Sequence, residues 1–294
     1  MNALLALVGV LGVSASGPLM AGTQAPALAI AFWRNALAVG GLAPVAATTR
    51  RHELGALTAA DVRLCAFSGV MLACHFATWV SALKLTSVAA ATALVCTQVG
   101  WVALVERVTG GTPVQRGVLV GLGVSFLGVL LISGVDLQLS ARALTGDLLA
   151  LAGGLFAAVY TISGGRARRR LSTTVYTLLC YGVCAVLLLV AALVAGDELV
   201  TFGASTWAGI LAVTVCAQLL GHSVFNHLLA VMSPQVVSLV LLLEVPGAAL
   251  LAAAFLGQAP PAGVWAGLVL ILAGLVVVIS RRPPEADDVA VDTA

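Results

Sequence analysis

The polar side chains able to do chemistry in this chain lie where apolar runs should have none. Glu244 sits near the middle of about twenty apolar residues. At 1.5 Å per helical residue it is ~10 Å or more from either end, too deep for its short side chain to reach water. An ionised carboxylate at that depth costs at least a few kcal/mol, so it must face a cavity or a partner. It could carry a proton, hold a cationic group of a solute or, protonated, tie helices together by hydrogen bonds. Pro246 has no N–H to offer the carbonyl of Leu242, which predicts a kink just beyond Glu244 and a free carbonyl beside the carboxyl.

Other polar residues recur at helical spacing. Gln218, His222 and Asn226 fall at i, i+4 and i+8, a stripe that has to face protein or water. His75, Thr78 and Trp79 form a second group. Either histidine could line a cavity and couple to protons near neutral pH, or serve as a hydrogen-bonded packing residue. Gln98 and Trp101 share a face that could orient an amphipathic solute or simply pack. Gly153, Phe156, Tyr160 and Ser163 make either a packing seam or a cavity wall. Trp33 reads as an outer-interface anchor. Arg34 could snorkel outward, or supply a positive charge for a substrate carboxylate or for Glu244.

The elements that must position these groups are membrane helices. With 61% hydrophobic and 9% charged residues, the chain is far from soluble composition, and its mean hydropathy is +1.11. Windows of about 20 apolar residues predict ten spans near 3–21, 27–47, 62–83, 88–105, 114–133, 146–165, 172–194, 206–229, 235–256 and 262–280. Thr58 to Asp61 reads as a capping box opening the third. Cytoplasmic termini would place Arg50, Arg51, Arg63, Arg107, Arg116, Arg166, Arg168, Arg169, Arg170, Arg281 and Arg282 inside. Lys84 and Arg142 would then lie outside. The Arg166–Arg170 cluster is a topological anchor near anionic lipid, and no nucleic-acid partner is expected. The first run lacks a basic n-region, so it is retained as a span and not read as a signal peptide. All six cysteines fall in apolar spans and read as packing residues, with no metal site expected.

The chain also repeats itself. A shift of 146 residues places Ser87 on Ser233, Gln98 on Glu244, Val99 on Val245 and Gly111 on Gly257. Gly117, Gly121 and Gly128 fall on Gly263, Gly267 and Gly274, small-residue stripes that pack helices within one protomer or between two. A shift of 144 matches Leu4-Leu5-Ala6-Leu7 to Leu148-Leu149-Ala150-Leu151. The expected fold is therefore all-α and integral to the membrane, with ten transmembrane helices as two inverted five-helix repeats. They span 1–134 and 146–281, ahead of a short cytoplasmic tail at 282–294. An odd number of spans per repeat inverts the second copy and puts the binding region near the midplane of the interface.

Several short motifs resemble the EamA-type members of the drug/metabolite transporter superfamily. They are Gly146-Asp147-Leu148-Leu149-Ala150-Leu151 before the arginine cluster; Leu241-Leu242-Leu243-Glu244 before a proline, then Phe255-Leu256-Gly257; and Phe32-Trp33-Arg34. The resemblance covers nearly the whole chain. It implies ten helices, a central substrate cavity and alternating access. The chain departs from that pattern where Val245 separates Glu244 from Pro246, where Gln98 stands for a midhelix proline, and at Gly257-Gln258 and Gly110-Gly111. No Walker loop, HExxH or GxSxG is present. The expectation is a secondary transporter of the inner or plasma membrane, exporting small metabolites, amino acids or amphipathic compounds. It needs no cofactor, with proton coupling and a homodimer left open. A membrane enzyme using His75, His222 and Glu244 is the alternative, and a channel or structural protein the third.

Overall fold

In the computed structural model the residues described are 2–109, 116–135, 140–258 and 262–280. Gly110, Gly111, Arg281, Arg282 and the 282–294 tail lie outside them. The chain runs through α1 (Asn2–Gly22), α2 (Ala27–Thr49), α3 (Ala59–Ala82), α4 (Val88–Val108), α5 (Arg116–Val135), α6 (Ala141–Ala167), α7 (Thr173–Ala195), α8 (Ala204–Leu228), α9 (Pro234–Leu256) and α10 (Ala262–Ser280). A short helix, Arg51–Gly55, follows α2. Eight of these helices are long and apolar enough to cross a membrane, all but α5 and α10, whose apolar stretches are Leu119–Gly128 and Trp265–Gly274. This is the fold of a multi-pass membrane protein.

Helix starts are written locally. Thr58 and Asp61 form the expected capping box, each side chain accepting the other's backbone N–H. Ser87, Ser140, Ser172 and Ser233 cap α4, α6, α7 and α9 by accepting the N–H three residues on. Gly196 and Gly257, at φ 72° and 66°, end α7 and α9 in the left-handed conformation that glycine adopts without a Cβ clash.

Two helices break at the same register. α4 is interrupted at Cys96–Thr97 and restarts at Gln98; α9 is interrupted at Leu242–Leu243 and restarts at Glu244. The α9 break lies just before Glu244, not beyond it. A proline ring acts on the turn N-terminal to itself, so Pro246 disturbs Leu242, four residues back. The halves cross: Val88–Val95 lies against Glu244–Leu256, and Pro234–Leu241 lies against Gln98–Val108.

The remaining packing follows small-residue faces. α5 and α10 pack on each other, and a Cβ at Gly128 would collide with the carbonyl of Gly267. The glycine stripes therefore meet within one chain. Around the centre α3 packs on α6 and α1 on α8, α3 on α7 and α2 on α8, α4 on α6 and α1 on α9. Each pair becomes its companion when five is added to both helix numbers, counting cyclically.

Contacts tie each end of the bundle together. At one end Ser172 N–H donates to Glu53 (2.6 Å) and Arg170 pairs with Asp61 at 3.6 Å, so the Thr48–Asp61 and Arg166–Arg170 segments share a side. At the other, Lys84 Nζ donates to the carbonyls of Met20 (2.9 Å) and Thr23 (2.8 Å), capping the end of α1. There too Trp33 Nε1 donates to the Leu199 carbonyl at 2.6 Å.

Candidate functional site

The breaks in α4 and α9 turn Gln98 and Glu244 into one buried cavity, which His75, Trp79, Tyr160, His222 and Asn226 also line. Each polar group gets there by a different local route. His75 on α3 hydrogen-bonds through Nδ1 to the Gly153 carbonyl of α6 at 3.0 Å and stacks on Trp79 at 5.6 Å. Gly153, lacking a Cβ, lets α6 close on Thr78 and Trp79. Tyr160 donates to Asn226 Oδ1 at 2.8 Å, and Asn226 Nδ2 donates to Tyr181 Oη at 3.1 Å. His222 faces His75 at 6.2 Å and Phe76 edge-on at 5.2 Å between ring centroids.

The α8 stripe is bent to this use by its backbone. Residues Val213–Ser223 are π-helical, with wider i→i+5 turns. Gly12 of α1 lies directly over this segment, where a Cβ would reach the Cys216 carbonyl at 2.5 Å and Gly221 N at 2.8 Å. Ser223 Oγ donates to the Gln218 carbonyl at 3.0 Å, five residues back, and sits 3.1 Å from Tyr181 Oη. The outcome is a split stripe: His222 and Asn226 enter the cavity while Gln218 turns to α2.

Arg34 is fully buried, so it does not snorkel. Its Nε donates to Gln218 Oε1 at 2.7 Å, its guanidinium lies 4.1 Å over the Phe76 ring, and Nη2 has no hydrogen-bond partner. Gln218 Nε2 in turn donates to Asn35 Oδ1 at 3.1 Å. Arg34 and Glu244 are not in salt-bridge contact; Arg170–Asp61 is the ion pair among the described residues. The centre is therefore a buried cation supported by an amide layer, beside a cavity holding one carboxyl, two imidazoles, two amides and a phenol. Its volume is about 40 Å³, room for a few waters.

The sequence profile of the EamA-like transporter family matches residues 1–134 and 144–280. The chain belongs to the EamA-like transporter family. That family lies within the drug/metabolite transporter superfamily, and it is a family of transporters, not of enzymes. A solved structure described only as "Crystal structure of protein" is similar in fold, with a TM-score of 0.72 at 18% identity over 96% of this chain and 99% of that one. No curated protein matches the sequence.

Among the residues the sequence singles out, this EamA-like chain brings Glu244, Gln98, His75, Trp79, Tyr160, His222 and Asn226 together at the cavity. Arg34 and Gln218 form the layer behind them. Trp101 packs instead against Val102, Ala158 and Ile162, and Ser163 bonds to Ser68 at 2.7 Å in the α3–α6 seam. Tyr181, Ser223 and Asn35 belong to the same polar networks and were not anticipated. Tyr181 had a usable signal, a phenol in mid-span; Asn35 had another, an amide adjacent to Arg34.

A second cavity of about 640 Å³ opens at the basic end of the bundle, lined by Glu106, Arg166, Arg169 and Gln235 among others. Leu229 lines both this vestibule and the central cavity. It rests beside Gly164 and Gly165, so its side chain borders both spaces.

Proposed function

We propose that this protein is a secondary transporter that moves small metabolites, amino acids or amphipathic compounds outward across the inner or plasma membrane by alternating access. The observation that carries the reading is the crossing of two helices broken 146 residues apart, with Gln98 and Glu244 at the restarts and a closed polar cavity between them. In this reading all ten helices cross the membrane as two inverted five-helix repeats, 1–134 and 146–281, with both termini cytoplasmic. The cyclic exchange of packing partners supports the duplication, as does the bond from Ser125 Oγ to the Ile271 carbonyl, which joins positions 146 residues apart. An odd number of spans per copy supplies the inversion.

The central cavity is too small for a metabolite, so the conformation is closed around its polar centre and a solute enters only when helices part. Glu244 carries the proton, Gln98 orients the solute, and Arg34 provides a fixed positive charge behind the cavity without neutralising the carboxyl by contact. No covalent step is required. The α5–α10 seam is already occupied within the chain, so a homodimer would use another face.

Proteoliposome counterflow with pooled amino acids, other metabolites and cationic drugs tests the reading, with mass spectrometry of the recovered solute. Saturable, pH-dependent flux of an unmodified compound is expected. Chemically altered solute would support an enzyme, and non-saturable flux a channel. Cysteines placed singly in the 48–61 and 166–170 segments of a thiol-free chain should label only from the cytoplasm; labelling from outside intact cells would overturn the orientation.

A further inference from the structure

The four arginines of the Arg166–Arg170 cluster have different fates. Arg168 is turned inward, donating to the Asn226 carbonyl at 2.9 Å and to the Leu171 carbonyl. Arg170 pairs with Asp61. Those two hold the loop against α8 and α3. Arg166 and Arg169 instead line the vestibule, and among the described residues neither guanidinium has a hydrogen bond or an ion pair within 4.0 Å. A basic loop is explained by topology alone, but topology does not require two of its guanidiniums to line one cavity. Facing them is Gln235, in the first turn of α9, whose Nε2 is buried without a hydrogen-bond partner. Glu106 is the one acid among the lining residues and interacts with Arg166.

Donors thus converge on a space of about 640 Å³, against about 40 Å³ in the centre. The larger of these two spaces lies outside Leu229. We propose that this vestibule is a binding site for a carboxylate or phosphate group. Arg166 and Arg169 supply both the charge and the hydrogen-bond donors, ahead of passage past Leu229. The group could be borne by a solute or by an anionic lipid headgroup; both present the same acceptor oxygens to guanidinium. The solute form rests on the transporter reading above, whereas the site itself does not.

The test is calorimetric titration of the full chain in phosphatidylcholine nanodiscs at low salt, with succinate, inorganic phosphate and, as the cationic comparator, methylammonium. Saturable binding of either anion is expected, weakened tenfold or more in Arg166→Gln/Arg169→Gln, with methylammonium silent. Glu106→Gln should tighten anion binding severalfold, a gain that misfolding would not produce. Native mass spectrometry from nanodiscs containing phosphatidylglycerol covers the headgroup source. Retention of that lipid by the wild type but not by the double variant, with neither soluble anion bound, would assign the site to lipid. No dependence of either anion or of phosphatidylglycerol on Arg166 and Arg169 would overturn the proposal, as would equal binding of methylammonium. Anion binding without flux in the counterflow assay would sink the transporter reading and leave the site. Flux without any anion or headgroup binding would do the reverse.

Discussion

Helices α4 and α9 reach the same broken shape by different chemistry. In α9 the cause is Pro246: Val245 N–H reaches the Leu242 carbonyl at 3.2 Å, a tightened i→i+3 turn, because the proline cannot supply the i→i+4 donor. In α4 no proline is present. There Thr97 Oγ1 donates to the Leu94 carbonyl at 2.6 Å, and Thr97 N–H bonds the same carbonyl at 3.1 Å. The backbone geometry is common to both helices, while the side chains at the restart differ, an amide in one and an acid in the other. Only one of the pair can titrate. In the transporter reading proposed above, that difference divides the work, one side orienting a solute and the other exchanging a proton.

The largest test of that division is Glu244→Gln, which keeps shape and hydrogen bonding and makes the two copies chemically equal. At matched membrane abundance, pH-driven uptake should fall at least about tenfold, equivalent to ~1.4 kcal/mol, with counterflow exchange retained. Wild-type flux and pH dependence would leave Glu244 as a structural hydrogen-bonding group. Gln98→Ala should be milder and different in kind. Apparent affinity for solute weakens by roughly three- to tenfold, about 0.6–1.4 kcal/mol, while the pH profile of flux stays put. A shifted profile would show that the amide side also takes part in coupling.

The breaks themselves come next. Thr97→Val removes the hydroxyl that occupies the Leu94 carbonyl and should cost about 0.5–1.5 kcal/mol in detergent melting. Pro246→Ala restores a backbone donor. With the proline as the cause of the α9 break, flux should fall severalfold as the helix straightens; near-wild-type flux would show that the crossing of the two helices holds the break instead. The smallest effect is expected at Glu198, remote from both helices. The backbone N–H groups of Val200, Thr201 and Leu199 hold this carboxyl down to about 2. A depressed carboxyl contributes stability above its unfolded value and loses it as pH falls through the folded one. Melting curves of wild type and Glu198→Gln should therefore differ near neutral pH and converge towards pH 2. A constant gap across that window would remove the carboxylate from the account.

Much of this was legible in the residues, because lipid leaves the backbone few choices and penalises each polar side chain heavily. The Thr58–Asp61 capping box, most of the helix positions and the place of Glu244 within an apolar run all follow from local spacing. What spacing could not supply was the identity of each neighbour. Helical periodicity says that Gln218, His222 and Asn226 share a face. Only the wide turns of α8, pressed against Gly12 of α1, send Gln218 to Arg34 and the other two to the cavity. Trp101, one turn from Gln98, faces Ala158 and Ile162 because α6 happens to lie there. The α4 break has no proline to announce it, and a threonine in an apolar helix usually bonds back to its own turn without breaking it. Whether the hydroxyl does so or the helix opens depends on what crosses it, and here that is α9.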